Sequence, residues 1–308
     1  MSIQWFPGHM HLTRKAITER VKDIDVVIEM LDARLPGSSA NPLLAELTSG
    51  RPTLKLLNKQ DLADSVRTKL WLAHFNAMPR TQAMASDANV AAPARMLVAA
   101  CSALAPLRGT AVKPMRVLIC GVPNVGKSTL INTLAGRRAA KTGDEAGMTR
   151  REQRIVLADH FYLFDTPGML WPRIGVPESG SNLAASGAVG RNAYDEQEVA
   201  LELLARIKQP YAALLLARYR LGLLPEQVAD LGEQDLLRAI ARQRGALTAG
   251  ARIDWQKAAE IVLSDFRSHQ IGCMTLETPQ QFAHWTDAAL QADAQRQARQ
   301  QQRRSKLR

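Results

Sequence analysis

Short apolar runs alternate with helical stripes through the first half of the chain. Val26 to Leu31 ends at Asp32, Thr53 to Leu57 runs into Asn58, and Met115 to Cys120 runs into Gly121. Ile155 to Leu157 and Phe161 to Phe164 read as a hairpin turned at Asp159-His160. Helical spacing fills Thr13 to Val21 and Val66 to Phe75. Strands alternating with helices predict a mostly parallel sheet with helices on both faces.

The pattern changes after Trp171-Pro172. Pro172 to Gly190 is rich in Pro, Gly and Ser and reads as a loop or linker. Helical periodicity then dominates. Ala200, Leu203, Leu204 and Ile207 form one stripe, and Leu236, Leu237 and Ile240 another, ahead of a stop at Gly245. Trp255, Ala259, Val262 and Phe266 form a third after Asp254, a candidate N-cap, and Thr278-Pro279 opens a last helix. Tyr211 to Leu216 is the most apolar run. It stops at Arg218 and Arg220, too short to span a bilayer, and reads as a buried helix. The expected division is an α/β domain over 1–176 and an all-α domain over 177–308.

Charge changes the picture more than composition does. The chain of 308 residues is 46% hydrophobic, enough for a real core, and carries a formal charge of +11. A surplus of this size favours a polyanion, nucleic acid before membrane. The tail from Arg296 to Arg308 holds basic residues among glutamines and no acid. It is either a solvated end or a segment that orders on RNA. Cys101, Cys120 and Cys273 are widely spaced and odd in number. They imply neither a disulfide framework nor a zinc site, and suit a reducing cytosol. The N-terminus lacks the layout of a signal peptide, so a cytoplasmic, monomeric, non-membrane protein is expected.

The chemistry gathers at the ends of the predicted strands. Gly121-Val-Pro123-Asn124-Val125-Gly126-Lys127-Ser128 satisfies GxxxxGK[ST] between an apolar strand and a helical segment opening at Thr129. Glycines let backbone N–H groups form a concave nest for phosphate oxygens, and the helix N-terminus adds its positive end. Lys127 is placed to reach the β and γ phosphates, and the Ser128 hydroxyl to ligate Mg²⁺. Asp165-Thr-Pro-Gly168 follows the hairpin. An acid there can hold Mg²⁺, and the glycine N–H can sense the γ-phosphate. Gly147-Met-Thr149 lies between the two motifs. Thr149 either completes the Mg²⁺ ligands or is an ordinary loop residue.

Asn58-Lys59-Gln60-Asp61 ends another strand. A buried carboxylate at Asp61 can accept two hydrogen bonds from guanine, and adenine offers no such donor pair. Asn58 can support the loop, and the Lys59 stem can lie along the base. In ordinary small GTPases this motif follows the phosphate loop; here it precedes it. Permutation at surface loops is tolerated, so the same sheet can be built from a different starting strand. The segment from Thr149 to Gly168 then leads directly into the helical half.

Taken together, these residues resemble the circularly permuted ribosome biogenesis GTPases, and specifically the bacterial ribosome biogenesis GTPase A type. The matching segments are Trp5-Phe-Pro-Gly-His-Met10, Asp32-Ala-Arg34-Leu-Pro, Asn58 to Asp61, Gly121 to Thr129, Gly147 to Thr149 and Asp165 to Pro172. They cover the first 172 residues densely and the helical half only in outline. The resemblance implies hydrolysis of GTP to GDP with Mg²⁺, coupled to late assembly of the large ribosomal subunit, with rRNA contacted by the helical domain. Met169 and Leu170 stand where a water-orienting glutamine is found in other GTPases. The resemblance suggests His9 as substitute, where the residues alone allow a turn cap. Asn124 resembles an asparagine that binds K⁺ in related GTPases, and is equally a turn residue. The second base loop falls near residues 81 to 90, with Ser86 and Asp87 the closest match and no lysine present. Two other functions stay open: an RNA-binding scaffold toggled by nucleotide, and a GTPase switch on a protein partner without RNA.

Overall fold

The computed structural model describes residues 9–87, 92–134 and 153–306. The sheet half comprises α1 (His9–Arg20), β1 (Val26–Asp32), α2 (Pro36–Ser39), α3 (Pro42–Leu47), β2 (Thr53–Asn58), α4 (Ser65–Asn76) and β3 (Thr81–Ala85). It continues through α5 (Pro93–Leu104), β4 (Met115–Gly121), α6 (Lys127–Leu134), β5 (Gln153–Ala158) and β6 (Phe161–Asp165). The strand order is β3-β2-β1-β4-β6-β5. All neighbours are parallel except the β5–β6 hairpin. The central strand β1 is buried along its whole length, as a strand covered on both faces must be.

The helical half comprises α7 (Pro177–Ser186), α8 (Glu196–Ile207), α9 (Ala212–Tyr219), α10 (Pro225–Asp230), α11 (Glu233–Gln243), α12 (Trp255–Arg267) and α13 (Pro279–Lys306). The expected stripes face inward: Leu203, Leu204 and Ile207 of α8, Leu236, Leu237 and Ile240 of α11, and Ala259, Val262 and Phe266 of α12 are buried. Asp254 caps α12 by accepting from the Lys257 N–H, satisfying one orphan donor. Trp255 departs from its stripe and lies half-buried beneath the Arg238 guanidinium.

Three expectations need correction. The proposed linker holds α7, with Pro177 in its first turn and Gly187 at φ 82° as its left-handed cap. Its Ser, Gly and Ala residues look like loop composition, but Leu183, Ala184 and Ala185 are buried, so tertiary packing overrides local propensity. Thr81 to Ala85, read as part of a base-contacting loop, is instead edge strand β3 in register with β2. The second half is also not purely helical, because Leu247–Thr248 pairs with Arg252–Ile253.

The two halves are closely joined. The segment before α13 returns to the sheet half, where the Met274 N–H donates to Leu62 O and the Leu276 N–H to Arg34 O. The buried carboxylate of Glu277 accepts from the Ser38 N–H at 2.7 Å, from the Ser38 hydroxyl, and from Asn182 Nδ2 at 3.0 Å. Trp71 Nε1 donates to Glu277 O, and Phe282 of α13 lies edge-on to the Trp71 ring. Among the described residues no helix is long and apolar enough to cross a membrane.

Candidate nucleotide site

Parallel strands place their C-terminal ends at one edge of the sheet, and all the strand-end motifs emerge there. Asp32 ends β1, Asn58 ends β2, Gly121 ends β4 and Asp165 ends β6. Register aligns Asp32 with Asn58, Met30 with Gly121, and Ile119 with Asp165. Ser86 and Asp87 follow β3 at the same edge. Residues separated by more than a hundred positions thus share one cleft.

The loop after β4 turns through Asn124 at φ 58° and Gly126 at φ 97°. A Cβ on Gly126 would also stand 2.2 Å from Asn58 Nδ2, so both backbone and space demand glycine. A Cβ on Gly121 would meet Met30 O at 2.7 Å, and one on Gly168 would meet Pro123 Cα at 3.0 Å. Lys127 is buried at the start of α6, with Ser128 half-buried and Thr129 exposed beside it. Lys127 Nζ lies 2.5 Å from Asp165 Oδ1, an ion pair shut away from water. Thr166 Oγ1 donates to Ile119 O, and the Met169 N–H donates to Gly121 O, pinning the Asp165–Gly168 turn against the loop.

The Asn58–Asp61 corner closes directly onto that loop. Asn58 Nδ2 donates to Val125 O at 2.8 Å. Lys59, at φ 62°, donates to Asn124 O and to Asp32 Oδ2, both at 2.8 Å. Asp32 also takes two hydrogen bonds from the Arg34 side chain, at 3.0 and 2.8 Å. Burial alone would raise the Asp32 carboxyl, but Arg34 and Lys59 hold it well below the usual carboxylate range. Asp61 itself is exposed rather than buried, so a base placed there would supply the cover the sequence reading assumed. Gln60 Nε2 donates to Asp87 Oδ2 at 2.9 Å, and the Gln60 N–H to Ser86 O, which ties the β3 end to the same corner.

Sequence reasoning missed the links to the helical half. Asn124 Nδ2 donates to Gly187 O at 2.8 Å, at the cap of α7. Arg267 holds the same helix end through Ala185 O at 2.8 Å and Ala184 O at 2.9 Å. Its neighbour Phe266 accepts from Arg34 NH1 at 3.2 Å and lies under the Arg34 guanidinium. No spacing signals these contacts, although Arg34, Asn124 and Phe266 each belong to a segment the sequence singled out. Two candidates are not placed: Thr149 lies outside the described residues, and so does the side chain of His9, at which α1 begins.

A metal beside the phosphates would meet hard oxygen donors, the Asp165 carboxylate and the Ser128 hydroxyl, which suits Mg²⁺ rather than a soft metal. At Asn124 a cation would have to meet Oδ1, because Nδ2 is directed to Gly187 O. Among the described residues no cluster of three His, Cys, Asp or Glu side chains could hold a metal on its own.

A phosphate loop after a central parallel strand, an Asp-x-x-Gly turn beside it and an Asn-Lys-x-Asp corner hydrogen-bonded to it define a P-loop GTPase. Its motif order is circularly permuted. Residues 116–234 match the family described as 50S ribosome-binding GTPase. Ribosome biogenesis GTPase A of Bacillus cereus is 41% identical, covering 92% of this chain and 96% of its own. Mitochondrial ribosome-associated GTPase 1 of mouse is 31% identical, covering 89% and 90% respectively. The fold matches the GDP-bound and GNP-bound structures of YlqF from T. maritima, with TM-scores of 0.63 and 0.60 at 24% identity. Those alignments cover 86% and 87% of this chain and nearly all of the others. The chain belongs to the ribosome biogenesis GTPase A family. It binds guanine nucleotide, hydrolyses GTP and acts in ribosome biogenesis.

Proposed function

We propose that this GTPase acts in the cytoplasm, as a monomer, on a precursor of the large ribosomal subunit, and contacts its rRNA in a nucleotide-dependent way. The name of the matched family and of the relatives supports a ribosomal partner, and the +11 charge supports a polyanionic one. The carrying observation for the site is the pair of hydrogen bonds from Asn58 and Lys59 to the carbonyls of Val125 and Asn124. They bring the Asn58–Asp61 corner against the phosphate loop, which supports one nucleotide reaching both.

In this reading Asp61 accepts from guanine, with Asn58, Lys59, Gln60, Ser86 and Asp87 shaping the base pocket. Backbone N–H groups from Gly121 to Thr129, with Pro123, Asn124, Val125 and Gly126 setting the turn, cradle the α and β phosphates. Lys127 leaves Asp165 for the β and γ oxygens when nucleotide enters, and the Gly168 N–H reads the γ-phosphate. Ser128, Thr149 and Asp165 would hold Mg²⁺, which would neutralise charge on the transferred group. Asn124 would hold K⁺ through Oδ1, and that ion would add positive charge for the transferred group. Water attacks the γ-phosphorus in line, and the bond to the β–γ bridging oxygen breaks. His9 positions that water, since Met169 and Leu170 are buried apolar side chains that cannot. The sheet half (1–176) carries the chemistry, and the helical half (177–308) carries the ribosomal contact.

The decisive experiment is GTP turnover of the full chain with and without large-subunit particles, in K⁺ and in Na⁺. Turnover is expected to be slow alone, to rise with particles, and to be faster in K⁺. Particles that bind without raising the rate would favour the nucleotide-toggled scaffold. Affinity for RNA that does not fall with salt would favour a protein partner instead. Replacing Asp61 by Ala is expected to weaken GTP while leaving any ATP binding unchanged. GTP affinity surviving that change would displace the base site.

A further inference from the structure

A cavity of about 520 Å³ lies against β4 and the β5–β6 hairpin. It is lined by Arg20, Asp23, Arg116, Arg154, Tyr162 and Phe164. That volume lies in the range that takes nucleotide-sized ligands, roughly 300–1,000 Å³. Its arginines come from three elements. Arg20 comes from the last turn of α1. Arg116 is the second residue of β4, whose far end opens the phosphate loop. Asp23 ends the short 3-10 turn that follows α1, and Arg154, Tyr162 and Phe164 come from the β5–β6 hairpin, where register sets Arg154 beside Phe164 and Arg116 beside Tyr162.

The cleft is unusual in how it holds its charge. The Arg20 guanidinium stacks over the Phe164 ring at 4.6 Å, and that of Arg154 over the Tyr162 ring at 5.0 Å. A guanidinium resting on a ring is planar and already ordered, so its outer face can take another flat group at low entropic cost. Arg154 and Arg116 are exposed. Among the described lining residues one is an acid, Asp23, 3.9 Å from Arg116. The neighbouring Asp25 is engaged elsewhere, by the Arg108 side chain and the Arg116 N–H. β5 is an edge strand, and its Val156 is 58% exposed beside Tyr162, so the cleft opens along the hairpin rather than closing around a small molecule. A second basic cavity, at Arg218, Arg220 and Arg244 in the helical half, differs: Asp265 clasps Arg218 through two hydrogen bonds and lies 3.9 Å from Arg244.

Positive charge for phosphates, interleaved with ring-backed planar groups for bases, is the chemistry that binds a single nucleic-acid strand. We propose that this cleft on the GTPase half is a binding site for single-stranded RNA, separate from the helical half and from the nucleotide site. It rests on the reading that the partner is RNA, and adds a second point of contact on the other half of the molecule. An acidic peptide would use the charge but not the ring-backed planes.

The test uses the full chain, GDP-loaded, and a fluorescent twelve-nucleotide single-stranded RNA. Replacing Arg20, Arg116 and Arg154 together by Ser is expected to weaken binding at least about tenfold and to reduce the salt slope by about 2, near 0.7 per lost phosphate contact. GDP affinity and the thermal midpoint should stay near wild-type values, since none of the three arginines belongs to a nucleotide motif. Replacing all three by Lys should restore the salt slope but not the full affinity. Full recovery in the Lys variant would overturn the stacking claim, and poly-glutamate competing as well as RNA would reassign the cleft to an acidic peptide. Wild type and the Ser variant binding RNA equally would overturn this site alone. A wild type that binds no RNA would overturn both the site and the RNA reading under it.

Discussion

The phosphate loop and the Asn58–Asp61 corner lie side by side at one sheet edge, yet they are built from different materials. The loop is mostly backbone: glycines at positions where a Cβ would strike Met30 O or Asn58, and one buried ion pair, Lys127 with Asp165. The corner is mostly side chain: Lys59 and Arg34 converge on the Asp32 carboxylate, and Arg34 continues to Phe266. A backbone nest tolerates few residue types and so writes a recognisable string. A side-chain network joins residues by reach rather than by spacing, and leaves little trace in the chain order. The loop is therefore fixed locally, and the corner by contacts across the whole molecule.

The strongest way to break this contrast is at its one buried pair on the loop side. Lys127→Ala should leave Asp165 buried without its cation. That is expected to cost about 3–5 kcal/mol of stability without nucleotide, and turnover should fall by at least about 10³. Denaturant unfolding and single-turnover hydrolysis measure the two. A variant that retained either property would show that the pair is not what holds the loop.

On the corner side, Asp32→Asn should cost slightly less, because Lys59 keeps its bond to Asn124 O. The sign with pH follows from the depressed Asp32 carboxyl. Below about pH 4 the unfolded chain takes up this proton while the folded one resists it. The stabilisation is complete above that pH and disappears as pH falls towards the folded-state value. Asp32→Asn should therefore unfold more easily at neutral pH and lose part of the wild-type steepness on the acid side. Identical acid limbs in the two proteins would mean that Asp32 is not held by its cations.

A smaller effect should come from Gly126→Ala, at the point where the two constructions touch. Strain at φ 97° alone is worth about 1–3 kcal/mol, and the new methyl would push Asn58 off Val125 O. Thermal melting and GDP affinity should drop together. If the melt falls and GDP affinity holds, the Asn58 bond is structural only.

The same contrast explains what could be read in advance. Four apolar runs ending in Asp32, Asn58, Gly121 and Asp165 marked the parallel strands and the edge where their loops meet. β3 escaped notice because Thr81-Gln-Ala-Met-Ala85 has little strand propensity of its own; pairing with β2 makes it a strand. α7 escaped because small residues, which look like linker, are what lets a helix lie close to its neighbours. The Asp32-Ala-Arg34 segment stood out only by resemblance, and its partner Phe266 lies 232 positions away. The cationic cleft was equally hidden, since its arginines come from three elements that only the register brings together.

The end of α12 has a thermodynamic consequence. Through Phe266 it holds Arg34 of the Asp32–Lys59 corner, and through Arg267 and the α7 cap it holds Asn124 of the phosphate loop. A docking event that displaces these two adjacent residues perturbs both sides of the cleft at once. Linkage makes the exchange reciprocal: a tenfold preference of the ribosome for the GTP-bound form would oblige GTP to bind tenfold tighter on the ribosome, about 1.4 kcal/mol in each direction.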